Sequence, residues 1–210
     1  MLLDLCDTWN IQLSQVTLVV TDNAANITKA VQETFAASIT CFDHTLNLVP
    51  QYAIGHNSQN EEYVPGVPSL VAKVKQIVSF FNHSSSASDA LKKRQRDSGI
   101  KEADILHLVQ EVPTRWSSAY FMITRFLELS DFLGPVLLKY PKITMLTGAE
   151  VVTLRVIAKL LHPIQLATLE MSAENTTTAS KVIPIVYLLK QVMNTRFSIF
   201  IYFNILFIIL

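Results

Sequence analysis

Val16-Thr-Leu-Val-Val-Thr-Asp-Asn-Ala-Ala-Asn26 is an apolar, β-branched run that stops abruptly at a carboxylate and an amide. The stretch Val16 to Thr21 reads as a buried strand, because near-continuous Val and Leu suit a strand covered on both faces. The polar pair Asp22-Asn23 breaks it, and Ile27, Ala30, Val31 and Phe35 then recur along one helical face. Strand, sharp turn and helix together open an α/β unit. Asp22 falls at the C-terminal end of the strand, where side chains leave a rigid sheet and enter a crevice. A carboxylate there suits Mg²⁺. It equally suits a cap on the following helix, through the N–H groups near Ala24 and Ala25. The two roles are compatible, and both stay open.

Working outward, Leu2, Leu3, Leu5 and Trp9 give residues 1–10 helical spacing, and Ser38 to Phe42 forms a second short strand. Thr45 to Ile54 is apolar but interrupted by Pro50, and Gly55 to Pro68 reads as an exposed loop. Helices are expected over Ser69 to Asn82, with Val71, Val74, Ile77, Val78 and Phe81 inward, and over Ala87 to Asp97. Beyond Pro113 the pattern is wholly helical: Trp116 to Leu133, Thr147 to Leu169, and Ala179 to Met193. The expected fold class is therefore α/β plus all-α, with few strands and mostly helix. An α/β piece covers residues 1–110 and a helical piece 111–193, leaving 194–210 as a hydrophobic tail.

Composition narrows the function classes. The 210 residues are 50% hydrophobic and only 16% charged, which excludes disorder for most of the chain. Lys plus Arg and Asp plus Glu both number 17, and a pI near 7.0 excludes a wholly basic nucleic-acid binder but not a local basic patch. Cys6 and Cys41 are too few for a disulfide framework and favour a reducing compartment. The N-terminus lacks a basic region and carries Asp4 and Asp7, against a signal peptide. Mean hydropathy is +0.33, and about half of it comes from Phe197 to Leu210. That tail has no charge but is shorter than the roughly 17–25 residues of a membrane-spanning helix, so a tail anchor is poorly formed. Its Phe, Ile, Tyr, Asn and Leu have codons that can be rich in A and T, the composition expected where a reading frame enters spacer DNA.

Three further constellations carry potential chemistry. Cys41-Phe-Asp-His44 places a thiol three residues from an imidazole, which is half a zinc site or a weak nucleophile–base pair. A buried Cys beside a hydrogen-bonded His accounts for it as well. Thr114-Arg-Trp-Ser117 pairs a guanidinium for phosphate with an indole for base stacking, although Trp116 also suits a core anchor. Between Ser69 and Arg96, Lys73, Lys75, Lys92, Lys93, Arg94 and Arg96 face a single acid, Asp89. That excess of cations suits phosphate neutralisation or a solvated helix face.

The order of these pieces is more specific than any one of them. Val19-Val-Thr-Asp-Asn-Ala-Ala-Asn26, Cys41-Phe-Asp-His-Thr-Leu-Asn-Leu48, Val112-Pro-Thr-Arg-Trp-Ser-Ser118 and Arg125-Phe-Leu-Glu-Leu129 together resemble the core of a hAT-superfamily transposase. The variety they resemble is the transposon-derived zinc finger BED domain-containing proteins, over about residues 1–193. The resemblance implies an RNase H-like catalytic fold interrupted by a helical insertion, cutting DNA with a Mg²⁺-binding Asp, Asp, Glu triad. Asp22 matches the second aspartate, and would supply one Mg²⁺ ligand. Cys41 and His44 match a motif beside the active site. Arg115 and Trp116 match the pair at the start of the insertion, where the Trp is similar to one that stacks on a flipped-out base.

The departures from that pattern set the functional expectation. The strand bearing the first aspartate and any BED finger have no counterpart ahead of Val16, and Glu170 and Glu174 fall inside the insertion. Two-metal catalysis needs several carboxylates around ions roughly 3.5–4 Å apart, and Asp22 alone cannot supply them. The expectation is a truncated RNase H-like fragment joined to a helical insertion domain, catalytically inactive. Mg²⁺ is not expected to be retained, and no small-molecule substrate is implied. Weak DNA contact would run through Arg115, Trp116, Lys92, Lys93, Arg94 and Arg96, in the nucleus. A nuclear regulatory or protein-interaction module is the first alternative, and a tail-anchored membrane protein the second.

Overall fold

Apolar residues at helical spacing dictate most of the chain, and helix dominates the computed structural model, which describes residues 2–22, 24–55, 64–112, 116–172 and 178–196. The helices are α1 (Leu2–Thr8), α2 (Ala25–Thr34), α3 (Phe42–Ile54), α4 (Val67–His83) and α5 (Ser85–Asp97), then α6 (Trp116–Leu137), α7 (Gly148–Met171) and α8 (Val182–Arg196). Two strands, β1 (Val19–Thr21) and β2 (Ser38–Thr40), pair in parallel with Val19 opposite Ser38 and Thr21 opposite Thr40. The β1–α2–β2 order is a minimal parallel crossover. The chain forms two compact units, residues 1–49 with 167–210, and residues 50–166.

In the first unit the strand expected from Val16 is only three residues long and is not buried. Val20 is 54% exposed and its register partner Ile39 is 52% exposed. Among the described residues the sheet has just these two strands, so nothing covers the face where Val20 and Ile39 sit side by side. The apolar run was composed for a covered sheet. Asn10, with φ at +52°, closes off α1 earlier than the expected residue 10. Helix α3 begins at Phe42 rather than Thr45 and runs through Pro50. The ring removes one i to i−4 hydrogen bond there, yet Leu46 and Val49 on the preceding turn are almost fully buried, and packing outweighs the lost bond.

The second unit is helical. On α4, Val71, Val74, Ile77, Val78 and Phe81 are all buried, as their spacing required. They meet Ala87 and Leu91 of α5 and the inward face of α6, where Ala119, Met122, Ile123, Phe126 and Leu133 are fully buried. Each large side chain so placed contributes about 1.5–3 kcal/mol. Residue 110 lies inside this unit, in the irregular segment 105–112 that is laid over the helices. Gln95, completely buried, holds that segment. Its Nε2 donates to the Leu106 carbonyl and its Oε1 accepts from the Leu106 N–H, both at 2.9 Å. Ser118 repeats the device, accepting from Val112 N at 2.8 Å and donating to Val112 O at 2.9 Å.

Helix α7 opens with a reciprocal cap, Thr147-Gly-Ala-Glu150. The Glu150 carboxylate accepts from Thr147 N at 2.8 Å, and the Thr147 hydroxyl accepts from Glu150 N at 3.3 Å. Among the described residues α7 alone is long and apolar enough to cross a membrane. Leu154, Ile157, Leu161 and Ile164 are buried along one stripe, as in a core helix. The helix expected from Ala179 begins instead with a 3-10 turn, Ala179–Lys181, and continues as α8 to Arg196. The tail 197–210 lies outside the described residues.

Candidate functional site

Parallel pairing brings two of the expected site positions together. Thr21 and Thr40 are register partners, so Asp22 and Cys41 each leave the carboxyl end of adjacent strands. The Cys41 N–H donates to the Thr21 carbonyl at 2.6 Å, fixing the two exits side by side. Cys41 then precedes α3, its carbonyl accepting from Thr45 N at 3.1 Å, and its free thiol is half-buried. His44, one turn into α3, is exposed. Asp22 is exposed too, and its Oδ1 accepts from Ala24 N at 3.1 Å, the helix-capping bond that competed with metal ligation in the sequence.

These donors do not suit Mg²⁺. One oxygen of Asp22 is engaged by a backbone N–H, and its neighbour across the strands is a thiol, a soft ligand that magnesium disfavours. Among the described residues no three His, Cys, Asp or Glu side chains gather around any point. Asp43, which the sequence reading passed over between Cys41 and His44, is the inward member of that motif. Burial pushes its carboxyl above the ordinary range, while a 3.4 Å bond from the Ser172 hydroxyl pulls the other way. Its second oxygen, Oδ1, is buried without a hydrogen-bond partner. An acid in the first turn of a helix normally faces solvent or the N-terminal N–H groups, so nothing in the motif itself marked Asp43 as the inward member.

The nucleic-acid positions divide. Arg115 lies outside the described residues. Trp116, the first residue of α6, is 4% exposed. This overturns its expected place as a stacking platform: apolar spacing along α6 turns the indole into the core, and no face is open to a base.

The basic stretch is largely neutralised by acids that lie outside it in sequence. Lys73 pairs with Glu150, and the lysine together with the Thr147 N–H holds that carboxyl below its ordinary range. Lys75 Nζ lies 2.8 Å from Glu111 Oε2, close enough for an ion pair but not aligned as a hydrogen bond. Arg96 forks onto both oxygens of Glu102 at 2.6 Å, and Lys92 approaches Asp89 at 3.5 Å. Lys92 and Arg96 thus each have an acid partner, in pairs that stay largely exposed to solvent. Lys93 and Arg94 are exposed and form no ion pair among the described residues. With Lys139, in the turn that follows α6, they line an open groove of about 320 Å³.

Arg125, in the last of the four motifs, is structural as well. Its Nη1 donates to the His107 carbonyl at 2.9 Å and its Nε to Glu128 at 2.9 Å, tying segment 105–112 to α6. It joins Gln95 and Ser118, and the Asn82–Gln110 and Lys75–Glu111 contacts, in holding the segment.

Comparison with known proteins agrees with these motifs. The chain is 29% identical to human zinc finger BED domain-containing protein 4 over 184 residues, covering 88% of this chain and 15% of that protein. It is 23% identical to human zinc finger BED domain-containing protein 6 over 170 residues, and 24% identical to the mouse protein of that name, covering 80% of this chain and 16% of each. The chain therefore spans about one-sixth of the length of these relatives. The family described as the ZBED1 RNase-like helical domain matches residues 39–150, a span that holds Cys41, His44, both clamped motifs and the whole of α4, α5 and α6. By that match over more than half of its length, the chain belongs to the ZBED1 RNase-like helical domain family.

Proposed function

We propose that this chain is a transposase-derived segment that contacts DNA through backbone phosphates, in the nucleus, and does not cut it. The observation that carries the reading is the groove between α5 and α6, where Lys93, Arg94 and Lys139 form no ion pair among the described residues while every other cation of the basic stretch has an acid partner. Sequence-independent phosphate contact needs only such cations. An RNase H-like ancestry fits the β1–α2–β2 crossover and its strand-end Asp22. The absence of cutting rests on Asp22, around which no group of three His, Cys, Asp or Glu side chains gathers among the described residues, whereas two-metal catalysis needs several carboxylates. A single-turnover assay on end-labelled duplex DNA with Mg²⁺ or Mn²⁺ is expected to leave both strands intact. A nicked product, lost in Asp22→Asn, would overturn that half of the reading.

A protein-interaction module is the second reading, favoured by α8. Ile183 is 81% exposed, and Tyr187, one turn on, and Leu188 are about 60% exposed, an apolar stripe with no covering element among the described residues. A discrete complex recovered with the wild type and lost with Ile183→Asp would favour it over DNA contact.

A further inference from the structure

We propose that the groove between the last turns of α5 and α6 is a phosphate-binding site that takes a phosphodiester group of a nucleic-acid strand between Lys93, Arg94 and Lys139. It rests on the DNA-contact reading above and specifies the site. Lys93 and Arg94 come from α5 and Lys139 from the turn that follows α6, the helix packed against it, forty-five positions beyond Arg94, so no single solvated helix face produces the cluster. Asp97 is the one acid in the lining, leaving an excess of positive charge over the groove. Pro135 and Val136 form an apolar wall, and beside such a wall a charge–charge contact is screened less than over open water.

The side-chain chemistry fits the ligand. A guanidinium offers a planar fork for two phosphate oxygens, and two ammonium groups act as flexible point charges on the rest. Complementing the helix dipole would require fewer cations, since the last turn of α5 already contains Arg96. Arg96 is bound to Glu102, whereas Lys93 and Arg94 line the groove and form no ion pair among the described residues, Asp97 included. The lining offers its cations to backbone phosphate oxygens. The site therefore recognises backbone, and its affinity is independent of sequence.

The test uses the full chain and a fluorescein-labelled duplex, with affinity measured by anisotropy over a range of NaCl concentrations. Arg94→Gln and Lys139→Gln are each expected to flatten the log–log salt slope by about 0.9, the value for one phosphate contact on B-DNA. Lys29→Gln, which removes a cation paired with Glu33 on α2, is expected to leave the slope unchanged. Replacing chloride by inorganic phosphate at equal ionic strength is expected to weaken wild-type binding several-fold, and to do so less in Lys139→Gln. Salt-dependent DNA binding with an unaltered slope in both groove variants would overturn the groove while leaving DNA contact intact. Inorganic phosphate that protects the wild type, but not Lys139→Gln, from thermal unfolding without any duplex binding would overturn the nucleic-acid occupant. Absence of both responses would overturn the site and the reading beneath it.

Discussion

Gln95 is the residue whose removal the fold should feel most for its size. Fully buried, it satisfies both the N–H and the C=O of Leu106, and each group left unpaired in a buried place costs about 1–3 kcal/mol. Gln95→Leu is expected to destabilise by about 2 kcal/mol, read as a lower urea midpoint with an unchanged m value. Asp43 acts in the opposite sense. Burial raises its folded-state pKa above the unfolded value, so the stability it confers is complete below the ordinary carboxylate range and is lost as pH rises through the raised value. Asp43→Asn should therefore abolish a rise in melting temperature on mild acidification. An unchanged pH profile in the variant would contradict the assignment. Neither residue was legible in the sequence. Glutamine is normally a surface side chain, and Asp43 stood between two more conspicuous residues, Cys41 and His44. Only the fold reveals which member of that motif turns inward.

Whole elements were far more legible, because helical spacing is a local property. The inward residues of α4 were read from their period alone. The helix expected from Thr147 begins at Gly148, and the cap Thr147-Gly-Ala-Glu150 is made in both directions. Thr147→Ala should cost about 1 kcal/mol, measured by denaturant unfolding. A loss smaller than that of a surface control, such as Thr153→Ala, would contradict the cap. Glu150 is held below its ordinary range by Lys73. Its contribution is therefore present above that range and fades as pH falls through the lowered value, the reverse of Asp43. The strand from Val16 was the element misjudged. Its composition asks for a sheet covered on both faces, and β1 has one partner and an exposed Val20. Composition reports the surroundings a strand is suited to, and the two-stranded sheet does not supply them.

At the scale of the molecule, sequence order was informative and charge counting was not. The four ordered motifs pointed to the family that the match over residues 39–150 establishes. The cation excess between Ser69 and Arg96 nevertheless suggested a continuous basic face. Glu111 and Glu150 lie beyond that window in sequence but against it in space, and they remove Lys73 and Lys75 from the count. What persists is a three-cation groove formed by α5 and the end of α6 with the turn beyond it. The central claim is that this groove makes non-cleaving phosphate contact with DNA, and the most direct measurement is duplex affinity against salt concentration in the presence of Mg²⁺. Up to three phosphate contacts predict a straight log–log line with a slope of about −2 to −3, with the recovered strands intact. An affinity indifferent to salt, or shortened strands in the bound fraction, would contradict it.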